Sequence, residues 1–518
     1  MTLEGPLAHP SHIARLHPNR PAVIMAETGQ TLSYGQMEAR ANQGAHLFRS
    51  WGLSRGDVVA LCLENGAEYF EITWAAQRAG LYWTCISTRL TAPEAAYIAR
   101  DCGARHLVVS ASLADLAADL GRELAGEIKV LVSSGDKTAD SFEAARDRLP
   151  TTLIDDPSAG GDMLYSSGTT GRPKGVRSPL PQGAFDAPSP MASRVETLFG
   201  FGRNGVYLSP APLYHAAPLR WAMCVHRLGG TVVVMARFDA EAALRFIESH
   251  QVTCAQFVPT HFIRMLKLPE ATRQYDVSSL RAVVHAAAPC PVPVKRQMIG
   301  WWGPIIHEYY GGTEGNGLTY ISSDEWLAHP GSVGRAIVGD LKICDEAGDP
   351  LPPRVEGLVS FADGPSFTYH NDPAKTAETR NKHGWTSLGD IGWVDEEGYL
   401  YLTDRKSFMI ISGGVNIYPQ EIENALIGHD KIADIAVVGA PDPDLGEAVV
   451  AVVQPACWTD AGPELAAEIL AYARDHLARY KTPRRVEFME ELPRHPTGKL
   501  LKRLIRDRMW NAQDTPPS

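Results

Sequence analysis

The sequence predicts an α/β fold with largely parallel sheets, and three observations carry that prediction. Short β-branched runs recur along the chain: LVVS at 107–110, VLVSS at 130–134, TVVVM at 231–235 and RAVVHAA at 281–287. Helical patterns fall between them, among them EYFEITWAAQRAG at 68–80 and DAEAALRFIESH at 239–250. Strand–helix alternation on this scale builds layered, mostly parallel sheets. The pattern then changes: DLKICDEAGDPL, EGLVSFADG and GYLYLTDR are separated by turn residues instead of helices, so a smaller antiparallel or distorted-barrel segment is expected over 331–404. After Asp404 it resets to strand IADIAVVGAP, strand EAVVAVVQP, helix PELAAEILAYARDHLARY at 463–480 and a final basic helix. A boundary near Asp404–Ser407 therefore divides the chain into 1–404 and 405–518. No internal repeat is evident. The Pro-rich stretch SPLPQGAFDAPSPMAS at 178–193 reads as a long mobile loop of the kind that covers a site.

Composition narrows the function classes. A chain of 518 residues exceeds one ordinary core, and about two to four domains are expected. Hydrophobic content of 44% and charged content of 21% are those of an ordinary globular protein. No apolar run is long enough to span a bilayer. The N-terminal residues lack the charged-then-apolar order of a signal peptide. A net charge of -11 argues against a nucleic-acid partner. The eight cysteines are scattered without a C-x-x-C pair, so neither a disulfide frame nor a zinc site is indicated, and a cytoplasmic location is expected.

The most informative stretch is YSSGTTGRPKG, from Tyr165 to Gly175. Apolar Met163 and Leu164 lead into it, as where a buried strand ends in a loop. Gly168, Gly171 and Gly175 let backbone N–H groups turn toward an anion. Ser166, Ser167, Thr169 and Thr170 add donors, and Arg172 and Lys174 add charge. A polyphosphate is the natural ligand. The spacing is not that of a Walker A loop, because Arg172 and Pro173 separate Gly171 from Lys174. Composition alone would equally describe a flexible surface loop; the order of hydroxyls, glycines, proline and lysine favours the phosphate reading.

Five further segments carry polar residues that a core would not want. PLYHAAPL holds Tyr214 and His215; EYYGGTEGNG holds Tyr309, Tyr310, Thr313 and Glu314; WTSLGD ends in Asp390. DRKSFMIISGGVNIYPQEIE holds Asp404, Arg405, Lys406, Gly413, Gly414 and Asn416, and LPRHPTGKLLKR holds Lys499. Taken singly, each has a structural reading: a hydrogen-bonded histidine, capping acids, a surface lysine. In this order, the six segments resemble those of the adenylate-forming superfamily of acyl-CoA synthetases, firefly luciferases and peptide-synthetase adenylation domains. The similarity is closest to the acyl-CoA ligases and runs over essentially the whole chain.

That resemblance implies a large N-terminal domain of two sheet-and-helix subdomains plus a small β-barrel, with a small mobile α+β C-terminal domain. It implies two half-reactions: a carboxylate attacks ATP, giving an acyl-adenylate and pyrophosphate, and a thiol, normally that of coenzyme A, then displaces AMP. ATP, Mg²⁺ and CoA are the implied cofactors and co-substrates, and a homodimer is compatible with it. By resemblance, Ser166, Ser167, Gly168, Thr169, Thr170, Gly171 and Lys174 hold the β- and γ-phosphates. Glu314 with Thr169 or Thr170 matches the Mg²⁺ position, beside Thr313. Asp390 matches the ribose acid, and Arg405 the arginine near ribose and phosphates. Tyr310 and the stretch Ala286–Pro289, with Ala288, resemble the adenine walls. His215 resembles the residue beside the substrate carboxylate, and Lys499 the lysine bridging carboxylate and α-phosphate. Three positions depart from the family pattern. Trp385–Asp390 keeps only the Gly-Asp of the ribose motif, Ser407 stands where the hinge is commonly lysine or aspartate, and alanines at 286–288 stand where glycines are more usual, a mild change.

Gly413 and Gly414 resemble the glycines that let the pantetheine arm of CoA pass; the alternative is that they serve a tight turn. Lys499, Lys502, Arg503, Arg506 and Arg508 either meet CoA phosphates or form a solvated helix face. Ala216, Ala217, Ala286, Ala287, Gly311 and Gly312 are small, which leaves volume for a bulky apolar acid, whether fatty, aromatic or alicyclic. The expected activity is ATP-dependent ligation of such an acid to CoA. A free-standing enzyme loading a carrier protein and a non-catalytic nucleotide binder are the alternatives.

Overall fold

The computed structural model describes residues 8–133, 141–166, 173–405, 408–413, 415–494 and 500–511. Two large sheets dominate, and each alternates with helices as the sequence predicts. In the seven-stranded sheet, strands at 58–62, 82–85, 104–110 and 129–133 run parallel with β1 (Gly161–Ser166). On its far side β2 (Lys174–Arg177) pairs antiparallel with β1, and a two-residue strand, Thr368–Tyr369, adds to β2. Helix Ala67–Arg78 packs against helix Tyr34–Ser50, which begins with a reciprocal capping box between Ser33 and Gln36. Met163 and Leu164 are buried as expected of a strand leading into a loop.

The nine-stranded sheet holds six parallel inner strands, flanked by antiparallel edges. Helix α1 (Ala216–Arg227) covers one face, and β3 (Cys254–Phe257), β4 (Ala282–His285) and β5 (Ile306–Tyr310) lie side by side in the sheet. Under β5 a Lys295–Glu308 ion pair of 2.6 Å is fully enclosed, and burial pushes the Glu308 carboxyl up against the pull of Lys295. The expected small barrel is a four-stranded antiparallel sheet that includes β6 (Thr386–Val394) and β7 (Leu400–Arg405). It packs on Val333, Ile343, Val359, Phe361 and Leu400.

Beyond β7, strand Ile410–Ser412 belongs to a separate five-stranded sheet built around the long hairpin Ile432–Asp442 and Gly446–Pro455. Helix α2 (Pro419–Leu426), helix Pro463–His476 and α3 (Lys502–Asn511) complete this small α+β unit. The helix expected over 463–480 stops at His476, because Leu477 adopts extended backbone at φ -130, ψ 148.

Two expectations need correction. The 178–193 stretch is tied down instead of hanging free. Gln77 donates to the Phe185 carbonyl at 2.7 Å, Arg55 to that of Pro181 at 2.8 Å, and helix Pro190–Thr197 takes up its end. On α3, the basic residues are not simply a solvated face. Lys502 is buried against Glu423 at 2.9 Å, and Arg506 meets Glu447 at 2.9 Å. All eight cysteines are free thiols, and only Cys457 is exposed. No described helix is long and apolar enough to cross a membrane.

Candidate active site

Ser166 at the end of β1 pairs with Lys174 at the start of β2. Ser167, Gly168, Thr169, Thr170 and Gly171 lie outside the described residues, as does the Ser166 side chain. Lys174 sits 5.5 Å from the ring centroid of Tyr369, and the Tyr369 hydroxyl donates to Glu314 Oε1 at 2.8 Å. Burial, with Lys375 nearby, holds the Lys174 ammonium below its ordinary range, against the pull of Asp372, Glu378 and Glu314. Tyr369 was not singled out from the sequence. It reaches Glu314 only because the short strand Thr368–Tyr369 adds to β2.

A second cluster lies at the carboxyl end of β5, the usual place for ligands in an α/β sheet. The Tyr310 hydroxyl donates to Asp390 Oδ2 at 2.7 Å, and Asp390 on β6 is buried and paired in register with Arg405 on β7. The Arg405 side chain lies outside the description. Thus Tyr310, Asp390 and the Arg405 backbone come together, while Lys174 and Glu314 are linked through Tyr369 beyond the Gly311–Thr313 turn. Arg220 on α1 binds Asp162 on β1 through two hydrogen bonds of 2.6 and 3.0 Å and reaches the Thr313 carbonyl at 3.5 Å. This cross-link, also unread from sequence, ties β1 to the turn before Glu314.

His215 is the N-cap residue of α1, its ring edge-on to Tyr214 at 4.4 Å. Ala216 and Ala217 follow it, partly buried on the same core layer as Tyr309. The expectation that Gly311 and Gly312 leave room for substrate is wrong. A β-carbon at Gly312 would collide with Leu388, and one at Gly311 would stand 3.0 Å from Leu318 and 3.1 Å from the Gly317 carbonyl. These glycines permit close packing and supply no volume.

Ala286 is buried, and Ala287 and Ala288 are exposed beyond the end of β4. Ala287 has φ +78, in the left-handed region. A β-carbon there costs about 1–2 kcal/mol, so the loss of glycine at this position is not a mild change. Ala287→Gly is expected to stabilise the large domain by about 0.5–1 kcal/mol, the relief of strain being partly offset by the freer unfolded chain. A denaturant titration would read this as a raised midpoint at unchanged slope, and a lowered midpoint would contradict it.

In the small unit, Gly413 has φ +57 and donates to the Leu445 carbonyl at 2.8 Å, which a turn requires whatever else passes by. Gly414, Ser407 and Lys499 lie outside the described residues. The segment carrying Lys499 is anchored on both sides: Arg494 forks onto Asp434, and Lys502 pairs with Glu423.

Fold and relatives together make the protein an AMP-forming acid–thiol ligase. The chain belongs to the AMP-binding enzyme family: that family's model matches residues 11–367, and the model of the AMP-binding enzyme C-terminal domain matches 421–499. It is 32% identical over 508 residues to the long-chain-fatty-acid–CoA ligase FadD13 of Mycobacterium tuberculosis, covering 95% of this chain and 96% of that one. It is 34% identical to a feruloyl-CoA synthase of an Amycolatopsis species, covering 98% of this chain and all (100%) of that one. Among solved structures, ATP-bound MatB from Rhodopseudomonas palustris superposes with a TM-score of 0.81 at 28% identity, covering 96% of this chain and 99% of that one.

Proposed function

We propose that the protein joins a hydrophobic carboxylic acid to CoA through an acyl-adenylate, releasing AMP and pyrophosphate. The observation that carries the reading is that Tyr369 links Lys174 on β2 to Glu314, a few residues beyond Tyr310, which binds Asp390. In this reading residues 166–171 and Lys174 hold the β- and γ-phosphates, Asp390 accepts the ribose hydroxyls, and Tyr310 keeps that carboxylate oriented. Tyr310 and Ala286–Ala288 bound the adenine, and Arg405 lies near ribose and phosphate. His215 adjoins the acid's carboxylate. Lys499 serves adenylation, and Gly413 with Gly414 borders the CoA thiol. We place the division between the large and the mobile small domain at 404/405, one residue before β7 ends its sheet at Arg405, with Ile410 beginning another.

Mg²⁺ fits this donor set in a particular way. Among the described residues no group of three or more carboxylate, histidine or cysteine ligands forms a dedicated cage. A cation held mainly by phosphates and by Glu314, with the hydroxyl of Thr169, matches the preference of Mg²⁺ for few protein ligands. When bound it would screen phosphate charge. Glu314→Gln is therefore expected to raise the Mg²⁺ concentration giving half-maximal adenylation several-fold, by roughly 1 kcal/mol. The glutamine still accepts from Tyr369, so the fold is spared. A Mg²⁺ titration unchanged by the variant would make Glu314 a structural partner of Tyr369.

As to the acid, FadD13 is named for long-chain fatty acids and the Amycolatopsis enzyme for a feruloyl group, which supports an apolar or aromatic substrate. The deciding experiment is pyrophosphate release over a panel of fatty, aromatic and alicyclic acids, with and without CoA. Turnover that requires CoA is the expected result. A burst of pyrophosphate that CoA does not convert into turnover, but a carrier protein does, would replace CoA as the acceptor.

A further inference from the structure

Three buried polar side chains meet near the ends of β4 and β5. Glu308 on β5 stands two residues before Tyr310, so the two share one face of the strand. His285, the last residue of β4, lies beside Glu308 in register. Lys295 comes from the first turn of helix Val292–Trp302, which follows the loop at 286–291. All three are buried, His285 and Lys295 completely. Lys295 Nζ sits 2.6 Å from Glu308 Oε2 and 5.0 Å from the ring centroid of Trp326. Both ends of the loop that carries Ala286–Pro289 therefore meet, at one carboxylate, the strand that carries Tyr310.

His285 is the anomaly in this cluster. Neither ring nitrogen has a hydrogen-bond partner among the described residues, although the side chain is fully enclosed with Phe262 edge-on at 5.4 Å. Burial, with Lys295 and His307 nearby, holds the imidazole well below its ordinary range, so it is neutral and has one N–H to give. Its Nε2 stands 3.4 Å from Glu308 Oε2, just beyond good hydrogen-bond length. An unmade hydrogen bond in such a place costs stability, and an apolar side chain of similar size would avoid that cost. Packing alone does not account for a histidine here. A shift of a few tenths of an ångström at the end of β4 would make the bond. Ala286 follows His285 directly and Ala287 is held at φ +78, so such a shift passes into the loop.

We propose that His285, Glu308 and Lys295 are positioning residues for the nucleotide. Lys295 fixes the Glu308 carboxylate, and His285 donates its Nε2–H to that carboxylate when the nucleotide lies between Ala286–Ala288 and Tyr310. The bond draws the end of β4 onto β5 and closes the loop on the base. Nucleotide affinity thus gains from a hydrogen bond that this arrangement leaves open. The proposal rests on the placement of adenine given above.

The test measures ATP binding to the full-length protein by equilibrium dialysis, with a denaturant titration of each variant beside it. His285→Leu is expected to weaken ATP binding about tenfold while its unfolding midpoint stays level or rises. His285→Gln, whose amide can donate from near the place of Nε2, is expected to bind within about threefold of the unaltered chain. Glu308 without Lys295 would be an uncompensated buried charge, so the pair is removed together as Lys295→Met with Glu308→Leu. In that background His285→Leu should change ATP binding by less than about twofold, because its acceptor is gone. Equal ATP binding by His285→Leu and the unaltered chain overturns the proposal and leaves the nucleotide reading intact. So does a loss of affinity that comes with a lowered midpoint and that His285→Gln does not restore, or one that persists in full without the pair. An unaltered chain that binds no ATP overturns the nucleotide reading and the proposal with it.

Discussion

Lys499→Ala is expected to cut acid-dependent ATP–pyrophosphate exchange by about 10²–10³-fold, the loss typical of one well-placed donor to a charge that builds in the transition state. The resemblance gives Lys499 a place only in the first half-reaction, between the carboxylate and the α-phosphate. Thioester formation from preformed acyl-adenylate and CoA should therefore remain close to that of the unaltered enzyme. The variant should also fold. Arg494–Asp434 and Lys502–Glu423 hold the chain on either side of this segment, and neither pair involves Lys499. A variant equally poor with preformed adenylate would remove Lys499 from this role.

Gly414→Leu is the converse case and has the second largest expected effect. If the thiol of CoA reaches the acyl phosphate past this glycine, a leucine side chain should block thioester output while leaving acid-dependent exchange near normal, a loss confined to the second step. The neighbouring Gly413 is already committed to left-handed backbone, where any β-carbon costs about 1–2 kcal/mol. Gly414→Ala therefore serves as the control, since alanine adds backbone strain with little bulk. Equal loss of both half-reactions in the leucine variant, with alanine just as harmful, would leave Gly414 as a turn residue and remove the sequence argument for CoA.

The fold class and the order of the site segments were legible because each rests on local signals. Alternating β-branched runs and amphipathic helices appear as the strands and helices of two large sheets, and hydroxyl–glycine order marked the segment between β1 and β2. What was not legible depends on partners distant in the chain. Tyr369 gains its place at Glu314 through a two-residue strand that no periodicity announces. Arg220 and Asp162 are 58 positions apart and meet only when α1 lies over β1. Gly311 and Gly312 looked like empty space because a sequence cannot tell a missing side chain that leaves a cavity from one that admits Leu318 and Leu388. Ala287 shows the same limit for backbone: its composition is bland, and its strain lies in a dihedral angle.

The cysteines carry a practical consequence. Thiol reagents attack the thiolate, so a cysteine must be both accessible and able to ionise. Burial pushes the thiols of Cys62, Cys85, Cys102, Cys224, Cys254, Cys290 and Cys344 up, and six of those seven are fully enclosed. Cys457 alone is exposed, in the turn after strand Gly446–Pro455 of the small unit. A maleimide dye added to the unaltered chain at neutral pH would thus mark the small unit once. Fluorescence anisotropy, or energy transfer to a labelled nucleotide, would then test whether that unit moves during turnover with no engineered residue.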